Sequence, residues 1–289
     1  MKTAYLFPGQ GAQEVGMGRD LYSDCPRFDS LLELGSELTH EDLGKLCRRG
    51  PERRLRQSLF LQPIMVTVSL GYMHLVREEG ISGDVALGHS LGEITALAAA
   101  GVVSDEMAVR IAVKRGALMD HAATLQRGGM AAVLSVPLEA LQEVLAAVDD
   151  PDAVVIANDN APGQIVISGR EAQLKQVSDL VRSRRLGRCR ELAVSGPWHG
   201  PWMESARREF EAWIESTEFL PPTVPLVLNA TGNQEDDPVR IKELITRQLT
   251  SPVLWRQCMG SLKQAGVDTL LEIGPGRVLS GLVRLNGFG

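Results

Sequence analysis

The chain has 289 residues, of which 44 % are hydrophobic, enough to bury a sizeable core in one large domain with or without a small companion. The net charge of −6 comes from interspersed residues of both signs with no basic arm, which argues against a nucleic-acid-binding protein. The amino terminus lacks the apolar region of a signal peptide, and no apolar run looks long enough to cross a bilayer. We therefore expect a cytoplasmic protein that binds neither nucleic acid nor membrane.

Four cysteines are scattered along the chain, at Cys25, Cys47, Cys189 and Cys258. They form no Cys-x-x-Cys pair, so the sequence indicates neither a metal site nor a redox motif. Reduced thiols are the ordinary state in the cytoplasm, and we expect these to be free.

The first predicted element is a strand over residues 4–7, followed by a glycine-rich loop over residues 8–13. The loop lacks the third glycine of a dinucleotide-binding motif and the lysine of a P-loop, so it does not indicate a nucleotide site. A loop after the first strand of an α/β sheet lies at the carboxyl edge, where functional sites form. A plain strand–helix turn would have the same sequence.

Helices are predicted next over residues 26–38 and 43–46, and then over a long apolar segment, residues 64–76. Pro63 precedes this segment, and proline suits the first turn of a helix because its missing N–H would be unpaired there anyway. The segment is long enough for a buried helix.

The central motif is Gly-x-Ser-x-Gly, from Gly88 through Ser90 to Gly92, between a predicted strand over 85–87 and a predicted helix over 93–100. Strand, tight turn and helix together are typical of a nucleophile elbow, which lifts a serine hydroxyl above the edge of a sheet. The helix would point free N–H groups at a developing oxyanion. An ordinary serine in a glycine-rich turn is the alternative.

After the elbow, Ser104 is predicted to cap a helix that continues over residues 107–119. This helix carries Arg110, Lys114 and Arg115. Most arginines on amphipathic helices are solvated, so the pattern alone does not give Arg115 a role.

A different pattern begins at residue 128 and ends at residue 195. Strands are predicted over residues 130–136, 153–157, 164–168 and 190–194, with helices over 138–148 and 170–185 and a dense turn over 158–163. The order β-α-β-β-α-β is the ferredoxin-like arrangement. We therefore predict a small inserted domain over residues 128–195, inside a large α/β domain formed by residues 1–127 and 196–289.

The chain then returns to the large domain through a turn rich in glycine and proline that contains Trp198 and His199. Predicted elements follow over residues 203–213, 224–228, 239–249 and 270–273. A serine nucleophile needs a base, and His199 is the best placed of five histidines because catalytic residues favour such loops. No Asp occupies an obvious third position, and a backbone carbonyl could orient the imidazole instead. This weakens a simple hydrolase interpretation.

Several motifs in order resemble one known family. They are 7–13 (FPGQGAQ), 88–93 (GHSLGE), 114–119 (KRGALM), 158–164 (NDNAPGQ), the turn at 198–199, and 272–276 (EIGPG). Together they are similar to the malonyl-CoA:acyl-carrier-protein transacylases of fatty-acid and polyketide synthesis, over essentially the whole chain. The resemblance implies an α/β-hydrolase-like large domain with a ferredoxin-like insertion. Ala12, where the family often has Ser, and Trp198, which we expect to shape the acyl pocket, depart from the usual pattern.

The resemblance also implies a role for each of a small set of residues. Ser90 would be the nucleophile, His199 the base and Arg115 the cation that binds the malonyl carboxylate. The backbone N–H groups of Gln10 and Leu91 would stabilise the oxyanion. Two supporting residues complete the set: His89, as a neighbour of the elbow, and Gln248, whose carbonyl would orient the base.

The implied reaction transfers malonyl from malonyl-CoA to the phosphopantetheine thiol of an acyl carrier protein through a malonyl-serine ester, in ping-pong order and without a cofactor. Such carriers are generally acidic, so we expect a local basic patch on this acidic chain, which we take to be a monomer. A serine hydrolase and a non-catalytic docking module are the alternatives from other classes. Within the family, fatty-acid synthesis, a discrete polyketide transferase and the transferase of malonate decarboxylase all remain open.

Overall fold

The computed structural model describes residues 1–288. Its strands are β1 Thr3–Phe7, β2 Val85–Gly88, β3 Gly129–Leu134, β4 Val154–Ala161, β5 Gln164–Gly169, β6 Arg188–Glu191, β7 Leu226–Val227, β8 Gln234–Glu235 and β9 Thr269–Glu272. Its α-helices are α1 Leu21–Asp24, α2 Pro26–Thr39, α3 Leu43–Arg49, α4 Glu52–Leu55, α5 Ser58–Glu78, α6 Gly92–Ala99, α7 Asp105–Leu125, α8 Leu138–Leu145, α9 Glu171–Ser183, α10 Glu204–Ile214, α11 Pro238–Arg247, α12 Trp255–Gln264 and α13 Val278–Leu285. Short 3₁₀ turns lie at Pro151–Ala153, Pro201–Met203 and Gln248–Thr250.

The larger sheet has the strand order β8-β7-β2-β1-β9. Strands β7, β2, β1 and β9 are parallel, and β8 runs antiparallel at one edge. Strands β1 and β2 are central and in register, so that Phe7 lies opposite Gly88 where both strands end. The glycine-rich loop after β1 therefore lies beside the turn after β2, at the carboxyl edge where α/β proteins form their sites.

The smaller sheet is antiparallel, in the order β4-β5-β3-β6, and its elements follow one another as β-α-β-β-α-β. Helices α8 and α9 pack on one face through apolar residues such as Leu141, Val177 and Val181, which form a hydrophobic cluster with β3, β4 and β5. The predicted ferredoxin-like arrangement is confirmed, as is the mixed α/β fold with two sheets.

The predicted turn over residues 158–163 is wrong for its first four residues, because β4 continues through Asn158 to Ala161 and the turn is confined to the next two residues. The segment pairs with β5 through two register shifts and also meets Val253 of the larger domain. The Val253 N–H donates to the Ala157 carbonyl at 2.8 Å, and the Asp159 N–H donates to the Val253 carbonyl at 2.9 Å. This tertiary pairing overrides the local turn preference.

The predicted start of the long apolar helix is also wrong. Helix α5 begins at Ser58, so Pro63 lies inside it and not in its first turn. The Asp120 carboxylate on α7 accepts the N–H groups of Ser58 and Leu59 at 3.1 and 2.9 Å. A cap from a distant residue therefore starts this helix, and the preceding sequence cannot reveal it.

Helix α5 is long and apolar enough to span a membrane by length and composition, contrary to the expectation that no run reaches that length. Within the protein, 72 % of its most apolar window is buried. It packs against α2, α6 and α7 in the main hydrophobic core.

Helices α12 and α13 were not predicted. Each carries a glycine in its middle, Gly260 or Gly281, which lowers intrinsic helix propensity. Their buried faces, with Trp255, Leu262 and Leu282, pack on the larger sheet in a separate cluster. Packing of an apolar face therefore outweighs propensity here.

Gly92 tests the packing that positions the elbow, because a Cβ there would overlap the Phe7 carbonyl. We expect Gly92→Ala to lower the free energy of unfolding by about 3 kcal/mol or more. The matched control is Gly260→Ala in α12, where a Cβ meets nothing within 4 Å. That variant should gain about 0.5–1 kcal/mol of stability, since alanine is the better helix former. Urea unfolding measures both, and equal effects would contradict the steric argument.

Candidate active site

The turn after β2 has the geometry of an elbow. Ser90 adopts a positive φ of 50°, which L-residues rarely take, and α6 begins two residues later. A Cβ on Gly88 would overlap the Gly92 backbone, so the strand and the helix approach closely only because both residues are glycine. The serine side chain is thereby directed away from the crowded strand–helix junction.

The structure brings Ser90 and His199 together. Ser90 Oγ lies 2.6 Å from His199 Nε2, and His199 Nδ1 lies 2.9 Å from the carbonyl oxygen of Gln248. A carbonyl only accepts, so Nδ1 carries the proton and Nε2 is left to accept from the serine hydroxyl. The geometry is that of a nucleophile and a base oriented by the main chain.

His199 is 4 % exposed and also has a positive φ, 58°. Burial lowers the pKa of its imidazole to about 3, and the nearby Arg115 guanidinium lowers it further in the same direction. The imidazole is therefore neutral at physiological pH and can take a proton.

Arg115 is completely buried at 0 % exposure. Its Nη1 donates to Gln62 Oε1 at 2.9 Å, and its Nη2 donates to Gln248 Oε1 at 2.8 Å and to Ser90 Oγ at 3.4 Å. Its Nε has no partner within residues 1–288. Burial lowers the pKa of the guanidinium to about 10, which still leaves it charged at neutral pH. All its hydrogen-bond partners are neutral, so a buried cation with a spare donor lies beside the serine.

The two predicted oxyanion donors lie on neighbouring turns. Gly9 is packed against the backbone of His89, which holds the loop after β1 against the elbow. Among residues 1–288, the N–H groups of Gln10 and Leu91 have no acceptor, whereas the Ser90 N–H donates a hydrogen bond to Asn229 Oδ1 at 2.7 Å. Two unpaired N–H groups near a nucleophilic oxygen are what an oxyanion site requires.

His89 faces away from Ser90, as an elbow requires of adjacent side chains. Its Nε2 lies 2.8 Å from Asn160 Oδ1 on β4, and its ring lies 5.1 Å from that of Trp255. It therefore joins the elbow to the smaller sheet and does not contact the serine hydroxyl directly.

A cavity of about 240 Å³ lies between the elbow and the smaller sheet. Ser90, His89 and His199 form part of its wall, together with Trp198 and Gln10. Residues of β3, β4, β5 and α13 also line it. Among residues 1–288, no group of three or more His, Cys, Asp or Glu side chains could hold a metal ion.

Four features of this site were not predicted from sequence: the side chains of Gln62, Glu93 and Asn229, and the amide of Gln248. Glu93 is 1 % exposed; burial raises the pKa of its carboxyl, whereas its hydrogen bonds to Asn229 and Gln248 and the nearby Arg115 guanidinium lower it. Glu93 stands directly after the Gly-x-Ser-x-Gly motif, so its position carried a signal. Gln62 and Asn229 have no motif, and only the fold brings them here.

Comparisons with known proteins agree with this geometry. A family model described as "Acyl transferase domain" matches residues 4–284. The chain belongs to this acyl transferase family.

Two relatives are named malonyl CoA-acyl carrier protein transacylase. The one from Bacillus subtilis is 38 % identical over 98 % of this chain and 90 % of its own length. The one from Staphylococcus aureus (strain MRSA252) is 37 % identical over 98 % of this chain and 92 % of its own length. The predicted family resemblance is confirmed.

Solved acyl transferase structures share the fold. A Streptococcus pneumoniae protein titled MCAT superimposes with a TM-score of 0.92 at 36 % identity, over 99 % of this chain and 93 % of that one. A malonyl-transacylase solved in complex with a type II PKS acyl-carrier protein superimposes with a TM-score of 0.93 at 33 % identity, with the same coverage.

The depressed pKa of His199 predicts the pH dependence of Ser90 reactivity in this acyl transferase. The rate of labelling by a fluorophosphonate should stay flat from about pH 7 to about pH 5, because the imidazole remains neutral throughout. An exposed histidine would titrate near 6.5 and lose most of its base form across that range. Ser90→Ala supplies the background rate. A sigmoidal fall centred near 6.5 would contradict the assignment.

Proposed function

We propose that this protein transfers a malonyl group from malonyl-CoA to the phosphopantetheine thiol of an acyl carrier protein. The observation that carries the proposal is the buried, charged Arg115, whose Nη2 lies 3.4 Å from Ser90 Oγ. A guanidinium binds a carboxylate through two parallel hydrogen bonds. A malonyl thioester is the acyl donor that places a free carboxylate two bonds from its reacting carbonyl.

In the first half-reaction, Ser90 Oγ attacks the thioester carbonyl while His199 Nε2 takes the hydroxyl proton. The oxyanion accepts hydrogen bonds from the N–H groups of Gln10 and Leu91, with α6 adding its positive end. The intermediate collapses to a malonyl-serine ester, and coenzyme A leaves with the proton from His199. The Gln248 carbonyl holds the imidazolium through its Nδ1–H.

In the second half-reaction, the carrier thiol approaches the ester and gives its proton to His199. The thiolate attacks the same carbonyl, and the regenerated Ser90 alkoxide recovers the proton from the imidazolium. Nucleophile, base and oxyanion donors all come from the chain, so the proposed cycle uses no cofactor.

The alternatives predicted from the sequence are less well supported. A hydrolase would use the same Ser90–His199 pair, but it has no need of a buried cation beside the nucleophile. A non-catalytic docking module would have no use for the 2.6 Å Ser90–His199 contact. The names of the relatives favour malonyl transfer over both.

We also propose the division into residues 1–127 with 196–289 and residues 128–195. Its support is that β3 to β6 form their own sheet and pack with α8 and α9 in their own cluster. A cytoplasmic location fits the four free cysteines, and a monomeric state remains a prediction.

Arg115→Ala tests the substrate. Each hydrogen bond to a charged group is worth roughly 1.5–3 kcal/mol, so loss of the pair should lower kcat/KM for malonyl-CoA by about 100-fold or more. Acetyl-CoA has no carboxylate, and its kcat/KM should stay equal or rise. The matched control is Arg110→Ala, an exposed arginine on the same helix, which should change neither value. A parallel fall for both thioesters would mean that Arg115 supports the fold and does not bind the carboxylate.

The expected basic patch has a candidate on the edge strand β6. Ala132 on β3 pairs with Val166 and with Arg190, so all three lie on one face of the smaller sheet. Ala132 and Val166 line the cavity, and Arg188 shares the face because it is two residues from Arg190. Both arginines are exposed and form no ion pair within residues 1–288. They offer free positive charge to an acidic carrier on the face of the smaller sheet that borders the cavity.

Reversing these charges should weaken the carrier step. We expect Arg188→Glu with Arg190→Glu to raise KM for the carrier protein about 10-fold at low salt, and less at high salt, while kcat changes little. Arg184→Glu is the matched control, because that exposed residue follows α9 on the opposite face. An equal KM change in the control would show that net charge matters and this surface does not.

A further inference from the structure

Three buried side chains beneath the elbow come from distant parts of the sequence: Glu93, Asn229 and Gln248. Glu93 lies in the first turn of α6, Asn229 follows β7, and Gln248 follows α11. We call them the elbow cluster. Each is at most 1 % exposed, so every polar atom among them needs a partner inside the protein.

Asn229 holds the turn itself. Its Oδ1 accepts the Ser90 N–H at 2.7 Å, and its Nδ2 donates to the Gly88 carbonyl at 2.8 Å. The side chain therefore spans the turn on both sides of His89. Because the Ser90 N–H donates to Asn229, the next N–H, that of Leu91, is the one that has no acceptor among residues 1–288 at the start of α6.

Gln248 holds the base and the cation. Its backbone carbonyl accepts the His199 Nδ1–H, and its Oε1 accepts from Arg115. Its Nε2 donates to the Ser90 carbonyl at 2.9 Å. One residue thus sets the positions of the imidazole and the guanidinium relative to the serine backbone.

Glu93 joins these two residues. One carboxylate oxygen accepts a hydrogen bond from the backbone N–H of Asn229, and the other accepts one from Nε2 of Gln248. Both partners are obligate donors, so the linking group must accept at both ends. An ionised carboxylate does this, and its hydrogen bonds to Asn229 and Gln248 and the nearby Arg115 guanidinium favour that form by lowering the pKa of the Glu93 carboxyl against the effect of burial. The isosteric amide of glutamine would set one NH₂ group against a donor.

We propose that Glu93 is a positioning residue for the acyl transfer. Through Asn229 and Gln248, it fixes the position of the elbow relative to the Gln248 carbonyl that orients His199. The proposal rests on the proposed function only in taking Ser90 and His199 as the reacting pair. Glu93 is not part of the cavity wall and acts through the other two residues. A shift of about 1 Å between a nucleophile and its base can cost about 100-fold in rate.

The test is Glu93→Gln, with Glu171→Gln as the matched control, since Glu171 is an exposed first-turn glutamate of α9. The first readout is labelling of Ser90 by a fluorophosphonate, which needs neither malonyl-CoA nor a carrier. Failure of the proposed substrate would therefore leave this readout intact. We expect labelling to fall about 100-fold, and transfer of malonyl and acetyl groups to fall in parallel through kcat, with KM little changed.

The second readout is the ¹⁵N spectrum of His199. The wild-type protein should show only the Nδ1–H tautomer of the His199 imidazole, and Glu93→Gln should show a mixture of the Nδ1–H and Nε2–H tautomers. A variant with a lower Tm but wild-type labelling and an unchanged tautomer would overturn the proposal and leave Glu93 a purely stabilising residue.

Glu93→Asp covers the case in which the glutamine variant does not fold. It keeps both acceptor oxygens on a shorter arm that cannot reach Asn229 and Gln248 together. We expect a folded protein with labelling reduced about 10-fold. Wild-type labelling in folded Glu93→Asp would overturn the proposal.

Discussion

The structure depends on one close approach, between the carboxyl ends of β1 and β2 and the amino-terminal end of α6. Gly92 packs on the Phe7 carbonyl and Gly88 on the Gly92 backbone, with no space for a side chain at either position. This crowding forces the turn between strand and helix to be sharp, and Ser90 accepts a positive φ as a result. The glycine-rich loop after β1 packs on the same turn, so both predicted oxyanion donors follow from a single contact between backbones.

Polar groups at the site are buried, and burial gives them their chemical properties. The imidazole of His199 loses its charge because water cannot solvate the imidazolium there and Arg115 is near. Arg115 keeps its charge because a guanidinium is intrinsically so basic that even complete burial leaves its pKa at about 10. The site therefore combines a neutral base and a permanent cation within hydrogen-bond reach of one hydroxyl.

The smaller sheet is attached to the larger domain along one edge. At β4, backbone hydrogen bonds join Asp159 to Val253, an ion pair joins Asp159 to Arg256, and a side-chain hydrogen bond joins Asn160 to His89. At the opposite edge, β6 pairs only with β3 among the strands that the structure describes. Arg188 and Arg190 lie on that edge strand, on the face of the smaller sheet from which Ala132 and Val166 line the cavity.

Local patterns in the sequence determined the parts of this protein in which neighbouring residues fix the backbone. The elbow, the β-α-β-β-α-β order and the Ser104 cap are of this kind, because glycine conformation, hydrophobic period and capping act over a few residues. The ordered motifs that indicated the family are likewise short runs of neighbouring residues. Only the tertiary structure decided the start of α5, the strand through Asn158, and the formation of α12 and α13. The same is true of the elbow cluster: Glu93, Asn229 and Gln248 are distant in the chain, and their hydrogen bonds exist only because the fold buries them together, where an unpaired polar group would cost about 1–3 kcal/mol.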